Sequence, residues 1–218
     1  FMLYGKPEQG HPDPDFFFQQ GSGPMLDMGP YYISALLSLF GPVKSVFGTA
    51  RITYPERVIT SQPKYGQVIK VNTPTYVAGT MNFVSGADAT LFASWDNWAT
   101  QVPILFEIHG TEGTLCVPDP NCFGGQVKVF RKGNADWNTV PLVNDYAGQC
   151  RGIGVADMCY ALQSGRQHRA SGELAFHSLD IMHSFLDASR EGKVVDLKST
   201  CTQPAALPVG IPFGTLDD

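Results

Sequence analysis

The chain has 218 residues, 43% hydrophobic and 16% charged, so it is long enough to bury a core of its own. The formal net charge is −5 and the 15 basic residues are scattered, which excludes a surface built to neutralise nucleic-acid phosphates. The five cysteines lack zinc-finger spacing, and no apolar run is long enough to span a bilayer. We therefore expect a globular cytoplasmic protein with reduced thiols and with neither a nucleic-acid nor a membrane partner.

Residues 1–20 are predicted to be a loop or interdomain segment, because glycine and proline interrupt every regular pattern there. The chain starts abruptly in this loop-like sequence, so we expect it to be part of a longer protein. His11, Asp13 and Asp15 resemble metal ligands, but an irregular loop offers them no supporting shell of groups, so we expect no metal. The three phenylalanines at 16–18 are expected to fix the segment onto a core or a neighbouring domain.

A helix is predicted between the glycine-rich loop at 21–23 and the stop signal Gly41-Pro42. Its apolar residues, which recur at the spacing of one helical face, are Ile33, Leu36, Leu37 and Phe40. Pro30 suits the first helical position, which leaves Asp27 just before or at the N-terminus, where the helix dipole stabilises a carboxylate. If the first turn already includes Asp27, Tyr31 lies on the same face. Spacing alone favours the simpler interpretation, in which Asp27 is a cap and Tyr31 is half-buried packing.

Strands dominate the middle of the chain. They are predicted at 43–53, 76–84, 87–95, 103–109, 114–117, 127–131, 139–142 and 194–197, with a long excursion and a short hairpin at 54–74. Two helices follow the hairpins: one has Val155, Met158, Cys159 and Leu162 on one face, and the other runs from Ser171 to Gly192. This order predicts an α+β fold with an open-faced, largely antiparallel mixed β-sheet covered by helices on one face. Residues 21–198 are assigned to that domain and 199–218 to an extended tail.

The sequence from Asp27 to Tyr31, Asp-Met-Gly-Pro-Tyr, resembles the Asp-x-Gly-x-His signature of the glucose–fructose oxidoreductase/inositol dehydrogenase (Gfo/Idh/MocA) family, in its C-terminal domain. Blocks at 11–18, 110–115 and 151–158 are similar to a bacterial branch of predicted dehydrogenases. The resemblance covers nearly the whole chain. This chain departs from the family by carrying Tyr31 in place of the usual His and Ser34 in place of an acid found in many members, and both changes affect the usual assignment of proton transfer.

The resemblance implies the substrate-binding and oligomerising domain of an NAD- or NADP-dependent oxidoreductase that acts on a hydroxyl of a sugar, cyclitol or related polyol. Family members hold the cofactor in an N-terminal Rossmann domain, which would be the partner of this domain. The nearest imitation of a cofactor fingerprint here, Gly152-Ile153-Gly154, lacks both a preceding buried strand and a third glycine. We therefore expect this chain alone to bind no cofactor and to be inactive.

Within this resemblance, Asp27 is expected to bind or polarise the substrate hydroxyl, and Tyr31 to take a hydrogen-bonding or proton-transfer role in place of His. The residues expected to contact the substrate are Tyr32, Trp98, Tyr146 and Arg151. A surface salt bridge is an equal alternative for Arg151, and core packing is an equal alternative for Trp98. His177 and His183 are predicted to be structural, because neither has an acid partner in the sequence pattern.

Two other functional classes stay open. A non-catalytic scaffold or ligand-sensing module is favoured by the change from His to Tyr31, and a metal hydrolase would use His11, Asp13 and Asp15. We also expect a homodimer or higher homo-oligomer, because the segment 76–96 has no Lys, Arg or Glu. The strand residues assigned to its outer face are Asp88, Thr90, Phe92 and Ser94.

Overall fold

The computed structural model of the chain describes residues 2–99, 106–148 and 150–217. The strands are β1 (Met2–Tyr4), β2 (Val43–Arg51), β3 (Glu56–Val58), β4 (Val68–Lys70), β5 (Tyr76–Phe83), β6 (Asp88–Ser94), β7 (Glu107–Gly110), β8 (Gly113–Cys116), β9 (Val127–Arg131), β10 (Asn138–Val140) and β11 (Val195–Asp196). The helices are α1 (Pro7–Gly10), α2 (Pro24–Phe40), α3 (Ile153–Ser164) and α4 (Gly172–Glu191), and a 3-10 turn covers Asp15–Phe18. Among the described residues, no helix combines the length and the apolar character needed to cross a bilayer.

The main sheet has the strand order β1-β6-β5-β2-β11, and every neighbouring pair in it except the parallel β1–β6 pair is antiparallel. A second, antiparallel sheet has the order β10-β9-β8-β7, and β3 and β4 form a separate hairpin inside the predicted excursion. The predicted α+β class and the largely antiparallel mixed sheet are confirmed. The part of the predicted strand at 103–105 lies outside the described residues.

Helices α2 and α4 cover one face of the main sheet, and the hydrophobic core lies between these helices and the sheet. The strand residues on this inner face follow the pairing register and alternate along each strand. They are Val46, Gly48, Ala50, Val77, Gly79, Met81, Ala89, Leu91 and Ala93. The prediction that Ala89, Leu91 and Ala93 face the core is confirmed by their packing in it.

Phe185 of α4 packs directly over Gly48 and Gly79, which are paired across β2 and β5. A Cβ atom on Gly48 would lie 2.7 Å from Cδ1 of Phe185, and one on Gly79 would lie 2.2 Å from the carbonyl oxygen of Phe47. The Phe185 ring is fully buried. The two glycines therefore provide the space that lets α4 approach the sheet.

Gly29 provides space for close packing between helices α2 and α4. A Cβ atom on this buried residue of α2 would lie 2.9 Å from Sδ of Met182 on α4. Gly29 is the glycine of the Asp-x-Gly pattern. Packing explains why glycine occupies this position, because it lets α2 lie close against α4.

Helix α2 begins at Pro24, which corrects the prediction that Pro30 occupies the first helical position. Pro24 satisfies the same preference for proline at the start of a helix, and Gly23, at φ 94°, ends the loop before it. Pro30 lies inside the helix, where it removes only the backbone bond to the carbonyl of Leu26. Asp27 consequently belongs to the first turn of α2.

The prediction that residues 1–20 form a loop is wrong, because β1, α1 and the 3-10 turn lie within them. Strand β1 extends the main sheet by parallel pairing with β6, a partner too distant in sequence for local patterns to reveal. Phe18 is fully buried in a second core cluster and Phe17 packs against it, so the prediction that the phenylalanines fix this segment onto a core is confirmed for these two, whereas Phe16 is exposed. The other members of this cluster are Ile59, Ile69, Val71 and Trp95.

Helix α3 packs with the side that carries Asp157 toward the interior of the protein. The residues predicted to share one face of this helix, Val155, Met158, Cys159 and Leu162, are exposed, whereas Asp157 is buried. The Asp157 carboxylate accepts hydrogen bonds from Arg166 at 2.8 Å and from the backbone N–H of Arg169 at 2.7 Å. Although burial opposes ionisation, these bonds hold the pKa of Asp157 below its ordinary value. Arg169 also pairs with Asp217 at 2.7 Å, which ties the tail to this cluster.

The glycine pair under Phe185 can be tested by substitution. Gly79→Ala is expected to lower the free energy of unfolding by roughly 3 kcal/mol, because the new methyl group meets backbone atoms that cannot move aside. The matched control is Gly154→Ala on the exposed side of α3, where a Cβ meets no atom within 4 Å. The control should raise stability by up to about 1 kcal/mol. Urea unfolding followed by circular dichroism measures both, and equal effects would contradict the packing account.

Candidate functional site

The face of α2 turned away from the main sheet carries a row of polar residues, which we call the α2 ridge: Asp27, Tyr31, Ser34 and Ser38. The opposite side of the helix, which includes Ile33 and Leu37, is fully buried. Tyr31 is 49% exposed and Asp27 is partly buried. Asp27 and Tyr31 therefore lie four residues apart on one face of α2.

The Asp27 carboxyl group is partly buried. Burial raises the pKa of its carboxyl group above the ordinary aspartate value of 3.8. Within the described residues, no hydrogen bond or ion pair to this carboxylate is found. A carboxylate that is partly desolvated and still has free lone pairs is a stronger base than one on an open surface.

The α2 ridge lies between two grooves. The first, of about 950 Å³, runs between α2 and α4 and has a mainly apolar lining that includes Pro30, Ser34 and Met182. The second, of about 410 Å³, lies between the C-terminal half of α2 and the loop residues Asp119 and Tyr146. Ser38 lines both grooves. Of the ridge residues, Ser34 and Ser38 line these grooves, whereas Asp27 and Tyr31 line neither of them.

The assignment of Tyr32 to substrate binding is not supported, and the structure corrects it. Tyr32 is fully buried, and its hydroxyl donates a hydrogen bond of 2.7 Å to Oδ1 of Asp119. Burial and this hydrogen bond raise the pKa of the Tyr32 phenol. Tyr32 follows Tyr31 directly, so a rotation of about 100° along the helix sends it to the core instead of the ridge.

The other residues expected to contact substrate do not gather around Asp27. Trp98 is 78% exposed and borders a separate cavity with Lys6 and Tyr54. Tyr146 lines the second groove, and its hydroxyl donates a hydrogen bond of 2.5 Å to the carbonyl of Thr215. Arg151 is exposed just before α3. No hydrogen bond or ion pair in the described part of the chain connects it to Asp27 or Tyr31.

Two residues that line the first groove were not identified as site candidates from the sequence. His183, predicted to be structural, lines the first groove, and so does Arg169. Their positions depend on how α2 packs against α4 and on where the tail runs, which no local pattern encodes. His177, in contrast, has the structural role that was predicted.

The buried ring of His177 joins two distant parts of the chain. It accepts a hydrogen bond of 3.0 Å from the N–H of Val43 and contacts Oγ of Ser199 at 2.7 Å. Ser199 in turn donates a bond of 2.6 Å to Asp180. Burial lowers the pKa of His177, which keeps its ring neutral and its Nε2 available to Val43.

The possible metal ligands near the N-terminus are occupied by protein contacts. Lys64 pairs with Asp13 at 2.6 Å and with Asp15 at 3.0 Å. His11 accepts a hydrogen bond of 3.1 Å from the N–H of Asp13. Across the described ranges, no group of three His, Cys, Asp or Glu side chains is placed to hold a metal ion.

The described residues do not fit a dinucleotide cofactor. Such a site needs a glycine-rich turn that leads directly from a parallel strand into a helix. Gly152 precedes α3, but no strand lies between β10 and α3 in the described residues, and the parallel pair β1–β6 is separated in sequence by α2 and four strands.

The comparisons with known proteins agree with the fold. The family model described as the GFO/IDH/MocA C-terminal domain matches residues 2–116, and no curated protein sequence matches the chain. Levoglucosan dehydrogenase in its apo form is similar, with a TM-score of 0.70 and 19% identity, over 92% of this chain and 58% of that one. An NAD binding oxidoreductase from Klebsiella pneumoniae has a TM-score of 0.64 and 20% identity over 81% and 51% of the two chains.

An aldose-aldose oxidoreductase from Caulobacter crescentus, complexed with glycerol, has a TM-score of 0.60 and 17% identity, over 87% of this chain and 53% of that one. At these identities the similarity shows a shared fold. The chain spans only 51–58% of the length of these three structures.

The neighbouring tyrosines of α2 provide a matched test of the site geometry. Tyr32→Phe is expected to lower the free energy of unfolding by about 1–2 kcal/mol, because the bond to the Asp119 carboxylate is lost. Tyr31→Phe should change it by less than about 0.5 kcal/mol, since its hydroxyl makes no hydrogen bond within the described residues. Chemical denaturation of both variants measures the difference, and a larger loss for Tyr31→Phe would contradict the assignment of the two faces.

Proposed function

The chain belongs to the GFO/IDH/MocA family as its C-terminal domain, and from this premise we propose that it is the substrate-binding and oligomerising domain of an oxidoreductase acting on a hydroxyl of a sugar, cyclitol or related polyol. The observation that carries the proposal is the α2 ridge, where the Asp27 carboxylate has no partner among the described residues and the exposed Tyr31 lies one helical turn further on. The similarity to levoglucosan dehydrogenase in complex with NADH and levoglucosan supports a sugar-like ligand. NAD or NADP would be held by a Rossmann domain outside this chain.

The proposed chemistry of the ridge concerns the proton of the reacting hydroxyl. The hydride of the carbinol would go to the nicotinamide of NAD or NADP, while the Asp27 carboxylate accepts a hydrogen bond from the hydroxyl and takes its proton. Tyr31 lies one turn further along the same face and donates a hydrogen bond to an oxygen of the same ligand. The raised pKa of Asp27 favours this proton transfer, because the carboxyl group holds a proton more readily than an ordinary aspartate.

The presence of Tyr31 in place of the family histidine favours a second function. A neutral phenol already carries its proton, so it cannot take one from a substrate as the imidazole of the histidine in the family signature can. A non-catalytic scaffold or ligand-sensing module would keep both grooves and would not need a proton acceptor at this position. Kinetics of the full-length protein separate the two functions.

Substitution of Asp27 in the full-length protein tests the catalytic proposal. Asp27→Asn is expected to lower kcat by roughly 10²- to 10⁴-fold while circular dichroism stays unchanged. In the unsubstituted protein, kcat should fall as the pH drops and the carboxylate becomes protonated, at a pH above the ordinary aspartate pKa of 3.8. Tyr31→Phe serves as the comparison, because it keeps the ring but removes the hydroxyl. Unchanged kinetics of Asp27→Asn would show that Asp27 has no part in proton transfer and acts only as a residue at the start of the helix. That result would favour the sensing module.

Self-association is proposed to use the face of the main sheet that α2 and α4 leave uncovered. The outward residues of its three central strands, of which Ser45 and Ser94 are buried within the chain, are Ser45, Phe47, Thr49, Arg51, Tyr76, Ala78, Thr80, Asn82, Asp88, Thr90, Phe92 and Ser94. The charged residues among them, Arg51 and Asp88, lie at opposite ends of the face. Phe47, between them, is 47% exposed. A neutral centre with an exposed aromatic ring is typical of an interface, and two such sheets would stack ~10 Å apart about a two-fold axis.

Light scattering on the purified chain tests self-association. A dimer mass or larger is expected at micromolar concentration. Phe92→Lys and Phe47→Lys should each shift the population toward monomer, because either change buries an unpaired charge at the interface. Leu162→Lys on α3 is the control, since it replaces a side chain that is 76% exposed outside the sheet. A monomer mass for the unsubstituted chain would reject the proposal.

A further inference from the structure

The buried ring of His177 on α4 holds the connection that leads from α2 into β2. Helix α2 ends at Phe40, and β2 begins at Val43 after the short link Gly41-Pro42. The backbone N–H of Val43 donates a hydrogen bond of 3.0 Å to Nε2 of His177. His177 is 0% exposed and Val43 is 2% exposed, so water has no access that would let it replace this bond.

The geometry of this contact fixes the protonation state of the ring. A backbone N–H can only donate, so Nε2 of His177 accepts and carries no proton. The proton of the neutral ring is therefore on Nδ1, which donates to Oγ of Ser199 at 2.7 Å. The Ser199 hydroxyl donates in turn to Oδ2 of Asp180 at 2.6 Å. Every donor in this row, from Val43 onward, thus points toward the Asp180 carboxylate.

A second proton on the ring would break the row at one end only. An imidazolium carries a proton on both nitrogens, so the N–H at Nε2 would face the N–H of Val43, with the two nitrogens 3.0 Å apart. Two donors that face each other repel, and both are left without an acceptor. On the other side of the ring, the bond to Ser199 and the attraction of Asp180 remain. Protonation therefore separates α4 from the start of β2, whereas the ring keeps its contact with Ser199.

Burial sets the direction of the pH dependence. It lowers the pKa of His177 below the ordinary histidine value of 6.5, and the charge of Asp180 opposes this effect only in part. The unfolded chain therefore takes up the proton more readily than the folded protein. The stability that the neutral ring contributes is fully present above the unfolded pKa of 6.5 and is lost as the pH falls below that value.

The other charged groups on the surrounding elements leave this direction unchanged. Glu173 lies one turn before the ring on α4, where burial and the charge of Glu173 raise the pKa of the Cys201 thiol. Lys44 and Lys198 lie next to the contact residues on β2 and in the tail, and both are exposed. Strand β5 carries no charged residue, and the single charged residue of α2 lies in its first turn, at the far end of the helix.

We propose that the contact between His177 and Val43 is an acid-sensitive switch, in which protonation of the ring releases the α2–β2 connection from α4. The released connection is the C-terminal attachment of α2, the helix that carries the α2 ridge. The way in which this helix is held against α4 consequently depends on pH. The inference rests on the contact itself and does not require Asp27 to act in catalysis.

NMR spectroscopy of the 218-residue chain tests the switch directly. The chain is titrated from about pH 7.5 to about pH 4.5, a range that spans the ordinary histidine pKa. The ring resonances of His177 report its protonation, and the amide resonance of Val43 reports the bond to Nε2. Both signals are expected to change with one shared midpoint below 6.5, together with a loss of protection against hydrogen exchange at Val43.

Two results of this titration would overturn the proposal. In the first, the His177 ring takes up a proton while the Val43 amide keeps both its chemical shift and its protection. In the second, the ring stays neutral until the whole chain unfolds, which circular dichroism detects in the same samples.

Substitutions assign the effect to the ring. His177→Gln keeps an acceptor for Val43 but cannot titrate, so the pH dependence of protection at Val43 should disappear. His183→Gln, on the exposed side of the same helix, is the matched control and should keep that dependence. An unchanged pH dependence in His177→Gln would contradict the proposal.

A further variant keeps the histidine in place and tests the proposal even if His177→Gln folds poorly. Asp180→Asn removes the charge that favours the imidazolium but retains an acceptor for Ser199. The shared midpoint of His177 and Val43 should therefore move to lower pH. A midpoint that stays in place or moves to higher pH would show that the row of hydrogen bonds does not control the switch.

Discussion

The contact between Phe185 and the glycine pair Gly48 and Gly79 determines where the helix layer lies on the sheet. Because neither glycine carries a side chain, α4 settles close to the strands, and Met182, one turn earlier on α4, then meets Gly29 of α2. The same helix therefore positions α2 relative to the sheet. The orientation of Asp27 away from the core follows from this packing, so the proposed reactive face depends on glycines that are not themselves part of it.

Buried ion clusters hold segments outside the apolar core in place. Asp157, with Arg166 and Arg169, joins α3 and the tail to the start of α4, and the hydrogen bonds to its carboxylate outweigh the cost of burying it. The ion cluster around Arg57 differs, because one buried oxygen of Glu8 has no hydrogen-bond partner among the described residues. The Asp157 cluster, in which both carboxylate oxygens accept hydrogen bonds, is a structural element.

Sequence patterns predicted the parts of the fold that local physics controls. The hairpin of β5 and β6 follows from strand alternation and a short turn, and α4 follows from its apolar period and the cap at Ser171, whose side chain accepts from the N–H of Leu174. The errors have a common physical cause. The pairing of β1, the burial of Tyr32 on Asp119 and the inward side of α3 all depend on partners far away in sequence. Asp27 was identified through its motif, but only the structure shows that it has no charge partner among the described residues.

The central claim is that the Asp27 face of α2 receives the reacting hydroxyl. A crystal structure of the full-length protein with a bound polyol substrate and its cofactor tests this most directly. The account predicts that the carbinol oxygen lies within hydrogen-bond distance of the Asp27 carboxylate, at about 2.6–3.2 Å, with the Tyr31 hydroxyl contacting the same ligand. A ligand that reacts at another place while Asp27 is covered by protein side chains would contradict the account.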